Sequence, residues 1–271
     1  MNKKTMYQLL LAGMLAGAAH AASAQAWSHD PQSEIGPRLW GSLTFPFATC
    51  GSLLATPTGN AFTEVGKRQS PVDITLARPA FAVPPAFRYF ATPFEIENTG
   101  HVIEVPYAPG SFVTFGTDTY ELLQFHFHIP SEHTVNGRAS SMELHLVHRD
   151  ALGNLAVVGV LLELGPTPNP VIEEIFARAP LAPGTVAVEG ATVNARDLLP
   201  RDLHFWTYGG SLTTPPCSEG VRWTVLRNPV SVSQATVDRF HAIVRTFPGY
   251  EGFPNNNRPV APLNGRRIIA N

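Results

Sequence analysis

Cysteine is nearly absent from this 271-residue chain, which has only Cys50 and Cys217. Neither has a second cysteine close by, and this excludes zinc sites built on paired thiolates. Charge is also sparse, at 15% of residues, and no long block of like charge occurs. The chain therefore lacks both the electrostatic footprint of a nucleic-acid binder and the polybasic patch of a membrane-surface protein. Internal repeats are missing, and no linker sets off a second hydrophobic core. The first sustained apolar run, Leu9 to Ala19, is too short to span a bilayer.

That run reads instead as the core of a secretory signal. Lys3 and Lys4 precede it, and the small residues Ala22-Ser23-Ala24 follow as a cleavage site. A membrane anchor is the alternative, but the run is short, and no cysteine follows it to carry a lipid. Residues 1–24 are thus expected to be a signal peptide and 25–271 the mature domain. The product would be exported, to a periplasm or to the medium. Cleavage removes two lysines and leaves 17 basic against 21 acidic residues, a net charge of −4. Such mild acidity suits a small or uncharged substrate. An exported chain with two cysteines most simply joins them, Cys50 to Cys217, with free buried thiols as the alternative.

Glycine (22) and proline (25) punctuate many short apolar runs. Examples are Phe94 to Glu97, Val102 to Val105, Phe112 to Phe115, Leu155 to Leu162 and Arg222 to Leu226. That pattern predicts a sheet-dominated single domain. Two helices are expected. Asn169 caps one, with Pro170 at its first position and Val171, Ile172, Ile175 and Phe176 on one face. Ser233 caps the other, which carries Val237, Phe240 and Val244 and stops by Phe247-Pro248-Gly249. Gly51 to Asn60 and Glu251 to Asn257 read as loops.

The most informative segments are Gln124-Phe125-His126-Phe127-His128 and Glu143-Leu144-His145-Leu146-Val147. Both alternate at period two, so each is a strand with Gln124, His126 and His128, or Glu143, His145 and Val147, on one face. If the strands pair, three imidazoles converge with an amide and a carboxylate behind them. Three neutral histidines and one open position make a catalytic zinc site, and ligating imidazoles usually hand their other N–H to an oriented partner. Three unrelated surface histidines are the competing explanation.

The rest of the chain decides between these. Gln69-Ser70-Pro71-Val72-Asp73-Ile74, Asn98-Thr99-Gly100-His101 and Ser131-Glu132-His133-Thr134-Val135 accompany the two strands. Ser211-Leu212-Thr213-Thr214-Pro215-Pro216 and Asn257-Arg258-Pro259 follow them. With these motifs, in this order, the chain resembles the α-class carbonic anhydrases from about Trp27 to Ile268. The resemblance implies a mainly β fold: one domain around a large twisted, mostly antiparallel sheet with a few peripheral helices. It implies reversible hydration of CO2 to bicarbonate and a proton by a zinc-bound hydroxide, with Zn2+ held by His126, His128 and His145.

Gln124 and Glu143 would orient His126 and His145, and a backbone carbonyl near Asn256 would hold His128. Thr213, hydrogen-bonded to Glu132, would aim the hydroxide, and Thr214 would contact bicarbonate. Val147, Val157, Leu212, Val221 and Trp223 would form an apolar CO2 wall, although core packing explains each of these nearly as well. His101 would shuttle protons, since an unperturbed imidazole titrates near neutrality. His133 is expected on Glu143 or nearby backbone, and His148 off the metal face. Where many relatives have Trp-x-Tyr, this chain has Trp27-Ser28-His29, which leaves a second proton acceptor open. A zinc esterase and a catalytically silent binding module are the rival functions. The expected partner is a small molecule, with no nucleic acid and no membrane anchor after signal cleavage, on a monomer or homodimer.

Overall fold

The computed structural model describes residues 26–43, 47–51, 66–75 and 77–271. The signal peptide expected at 1–24 and almost all of the loop expected at Gly51 to Asn60 lie outside them. Among the described residues the main sheet has twelve strands. Its path runs Gly184–Val193, Thr92–Asn98, Ile103–Pro106, Asp118–His128, Met142–Arg149, Leu155–Leu164, Glu219–Val232, Phe205–Ser211, Ile269–Ala270 and Arg78–Pro79. Ala86–Arg88 and Phe112–Phe115 extend it beside Asp118–His128. Most pairs are antiparallel, as expected, but Leu155–Leu164 runs parallel to Glu219–Val232, and Ile269–Ala270 runs parallel to Arg78–Pro79.

Alternation assigns the two faces. Along Thr92–Asn98, Phe94 and Ile96 are buried while Pro93 and Glu95 are exposed. Phe125, Phe127, Leu144 and Leu146 point into the larger core, where Phe176 and Phe240 of the helices also pack. Each such side chain, fully withdrawn from water, contributes roughly 1.5–3 kcal/mol. The helices are Pro170–Arg178 and Gln234–Val244. Asn169 accepts from the Val171 and Ile172 N–H groups, and Ser233 accepts from Thr236 N–H. Both caps stand where the sequence places them. Ile172, Ile175 and Phe176 are buried, whereas Val171 only packs against the edge of the core. Glu251 to Asn257 is irregular, as expected, yet Asn256 within it is fully buried. The opposite face of the sheet carries a smaller apolar cluster and the histidines.

Candidate metal centre

Pairing of the two central strands sets His145 directly opposite His126 and Glu143 opposite His128. Opposed residues share a face, so the three imidazoles meet. Their ring centroids lie 5.0 Å (His126–His128), 5.3 Å (His126–His145) and 4.6 Å (His128–His145) apart. One nitrogen from each lies within 4.8 Å of the others.

The outer nitrogen of every ring is already committed. His126 Nδ1 bonds Gln124 Oε1 at 2.8 Å, His128 Nδ1 bonds the Asn256 carbonyl at 2.8 Å, and His145 Nε2 bonds Glu143 Oε1 at 2.9 Å. These bonds leave Nε2, Nε2 and Nδ1 facing inward. His128 Nε2 is buried with no hydrogen-bond partner, an arrangement costly unless something else takes the lone pair. Burial, with the neighbouring imidazoles, holds His126 well below the ordinary imidazole pKa, and burial lowers His128 as well. Neutral rings with free lone pairs are what a zinc ion requires. The donor set therefore fits Zn2+ with a fourth position open.

Glu143 is the hub behind the triad. Its Oε2 accepts from Glu132 N (2.9 Å) and His133 N (2.8 Å), and its Oε1 meets His133 Nδ1 (2.7 Å) as well as His145. Burial alone would raise its pKa, but the adjacent His133 and His145 and their hydrogen bonds outweigh it and hold the carboxyl well below its usual range. Space for this carboxylate comes from Gly159, opposite His145, where a Cβ would sit 2.9 Å from Glu143 Oε1. His133 continues through Nε2 to the Tyr208 hydroxyl (2.7 Å), which donates to Ser70 Oγ (2.8 Å). Ser70 Oγ in turn accepts from Ser211 N at 3.1 Å. A buried polar chain thus ties the triad to the hairpin that carries Thr213 and Thr214.

That hairpin is fixed from three sides. Cys50 and Cys217 form a disulfide across 167 residues. Gln69 Nε2 donates to the Cys217 carbonyl. Arg258, fully buried, donates to Gln69 Oε1, the Ser70 carbonyl and the Cys50 carbonyl. Burial pushes its pKa down to about 10, which still leaves it charged at neutral pH. The backbone N–H of Arg258 donates to Glu132 Oε1 at 2.8 Å, and Glu132 Oε2 is buried without a partner, 3.9 Å from His145 Nδ1. Thr213 is buried, but no hydrogen bond joins it to Glu132. Thr214 is half-buried.

Val157, Val221 and Trp223 belong to one buried cluster, with Val147 and Leu212 packed against it. Val147 lies opposite Val157, and Val157 beside Trp223, so these three form a continuous row on the histidine face. His101 is half-buried and stacked on Trp27, with centroids 3.8 Å apart and planes 10° apart. Burial lowers its pKa to about 4. His29 is buried, bonds the Tyr250 hydroxyl through Nδ1, and leaves Nε2 without a partner. His148 bonds the Tyr89 hydroxyl, away from the triad as expected.

Sequence reasoning assigned no role to Tyr208, Arg258 or Gly159. Ser70 and Arg258 stand within quoted motifs, so a signal existed without a partner to give it meaning. Gly159 breaks the apolar run Leu155 to Leu162 and marks a close approach.

The family model for eukaryotic-type carbonic anhydrase matches residues 59–271. A carbonic anhydrase of a Nostoc species is 38% identical over 242 residues, covering 87% of this chain and 83% of its own. One from Neisseria gonorrhoeae is 36% identical over 275 residues, covering 98% of each chain. Among solved structures, α-carbonic anhydrase from Thermovibrio ammonificans in complex with the inhibitor sulfanilamide has a TM-score of 0.79 and 37% identity, covering 91% of this chain and 99% of that one.

Proposed function

The chain belongs to the eukaryotic-type carbonic anhydrase family, and from that premise we propose that it hydrates CO2 reversibly to bicarbonate and a proton at a zinc ion held by His126, His128 and His145. The carrying observation is the convergence of three inward nitrogens whose partner nitrogens are all anchored. Zinc bound there lowers the pKa of a water molecule from about 15.7 to about 7, behaviour for which carbonic anhydrases are the type case, and so supplies a nucleophile at neutral pH.

The chain's own residues do the rest. Glu143 holds the proton on His145 Nε2 and Gln124 accepts the one on His126 Nδ1, which keeps the inward nitrogens as lone pairs. We assign Thr213 and Glu132 to orienting the attack: Glu132 Oε2, free in this structure, is the acceptor the Thr213 hydroxyl would reach on filling of the site, which would leave the threonine oxygen to accept from the site. Thr214 holds the bicarbonate. Val147, Val157, Leu212, Val221 and Trp223 exclude water from the place where uncharged CO2 sits. We assign proton release to His101, although burial lowers its pKa to about 4, so that at neutral pH it would pass the proton on rather than hold it. Residues 25–271 act as the mature catalytic domain. The disulfide suits an oxidising compartment, and the periplasm is the compartment we assign.

Stopped-flow CO2 hydration on metal-quantified protein tests the reading. The rate should rise with bound zinc, and His145→Ala should lose zinc and rate together. Zinc at one per chain with only the uncatalysed rate would sink the enzyme reading. Ester hydrolysis faster than CO2 hydration would transfer the assignment to an esterase.

A further inference from the structure

The register that opposes His126 to His145 extends further across the sheet. His126 also lies opposite Glu104, and Glu104 lies opposite Glu97. Directly opposed residues point to the same side, so Glu97, Glu104, His126 and His145 form one row on the face that carries the triad. Both glutamates are half-buried. Among the described residues neither carboxylate has a hydrogen-bond or ion-pair partner, because the arginine ion pairs go to Asp118, Glu163 and Glu174. Like charges directly opposed on neighbouring strands are destabilising. Burial, with Glu97 across the strand, pushes the Glu104 carboxyl up to about 7. The fold therefore tolerates an unpaired acidic pair one strand away from a metal ligand.

We propose that Glu104, backed by Glu97, is a specificity-determining residue of this site, its negative charge weakening the hold of anions on the metal centre, the bicarbonate product included. This rests on the metal-centre reading above. Glu104 stands one strand spacing, about 4.8 Å between backbones, from His126 on the face that carries the triad, and a unit charge within about 10 Å of an anion there still acts on it. At that range, partly screened by solvent, one unit charge changes anion affinity by about threefold to tenfold. Glu97, one strand further out, should act in the same direction and more weakly. No other residue of the row carries a fixed negative charge.

The test uses the full mature chain loaded with Co2+ and titrated with thiocyanate, followed in the visible spectrum at pH 8.5 and constant ionic strength. Glu104→Gln should lower the thiocyanate Kd by about threefold to tenfold, Glu97→Gln by less, and Glu104→Asp, which keeps the charge, should stay near wild type. With cobalt bound at one per chain, an unchanged Kd in Glu104→Gln would overturn this inference and leave the metal centre standing. A wild-type chain that binds no cobalt would overturn both. A metal-free readout is independent of anion binding: either glutamine variant should raise the apo melting temperature by removing like-charge repulsion. A fall in both would mean that the carboxylates are paired, which contradicts the argument.

Discussion

Replacing Glu143 by glutamine exchanges one side-chain oxygen for an NH2 group and should damage the protein more than its size suggests. Each carboxylate oxygen accepts two hydrogen bonds: Oε1 from His133 and His145, and Oε2 from the backbone of Glu132 and His133. An amide keeps one accepting oxygen and turns an NH2 group toward the other pair of donors. Two buried bonds to a charged acceptor are lost, each worth about 1.5–3 kcal/mol, so Glu143→Gln should cost about 3–6 kcal/mol. That is a large share of the ~5–15 kcal/mol typical of a domain.

The pH dependence follows in sign. The folded-state pKa of Glu143 is depressed, so its contribution is fully present above the unfolded value of about 4.3 and is lost as pH falls through the folded value. The gap between wild type and variant should therefore be widest near pH 7 and narrow in acid. Urea unfolding of the apo forms measures it as a shift in midpoint at constant slope. A difference below about 1 kcal/mol at pH 7 would refute the role of Glu143 as the buried hub.

Three further outcomes are expected. Gly159→Ala places a methyl 2.9 Å from Glu143 Oε1, an atom pinned by two bonds. It should cost about 1–3 kcal/mol and weaken zinc binding, and unchanged melting and metal affinity would contradict this. Reduction of Cys50–Cys217 releases a 167-residue span, worth up to about 5 kcal/mol in the chain-entropy model, and should lower the melting temperature. An unmoved melting curve would remove the bridge from the account. Trp27→Ala uncovers His101 and should move its titration midpoint, followed by NMR, from about 4 toward the ordinary value of 6.5. A midpoint that stays near 4 would place the cause elsewhere.

Local periodicity carried much of the site. Alternation in Gln124 to His128 and Glu143 to Val147 fixed which side chains meet, because a strand has only two faces and one must bury Phe125, Phe127, Leu144 and Leu146. Helix boundaries were legible because Asn169-Pro170 and Ser233 act on backbone N–H groups two or three residues away. The partners of Arg258 were not legible: Gln69, Ser70 and Cys50 lie about two hundred residues away in sequence, and no local pattern encodes such a distance. Tyr208 carries no local signal, and its role shows only where His133 and Ser70 close on its hydroxyl. His101 was assigned an ordinary imidazole pKa, but burial lowers it, and the Trp27 ring stacked on it lies 74 positions away in sequence. The opposition of Glu104 to both Glu97 and His126 depends on a register that the composition of Ile103–Pro106 does not specify.

The central claim is that His126, His128 and His145 hold a zinc ion at which CO2 and bicarbonate interconvert. Exchange of oxygen-18 between labelled CO2 and bicarbonate, followed by mass spectrometry, resolves that interconversion from the proton-dependent release of labelled water, so the exchange component does not depend on His101. The rate of exchange should grow in proportion to added zinc, level off at one zinc per chain, and vanish in His145→Ala. Exchange at the uncatalysed rate with wild-type protein carrying one zinc per chain would contradict the account.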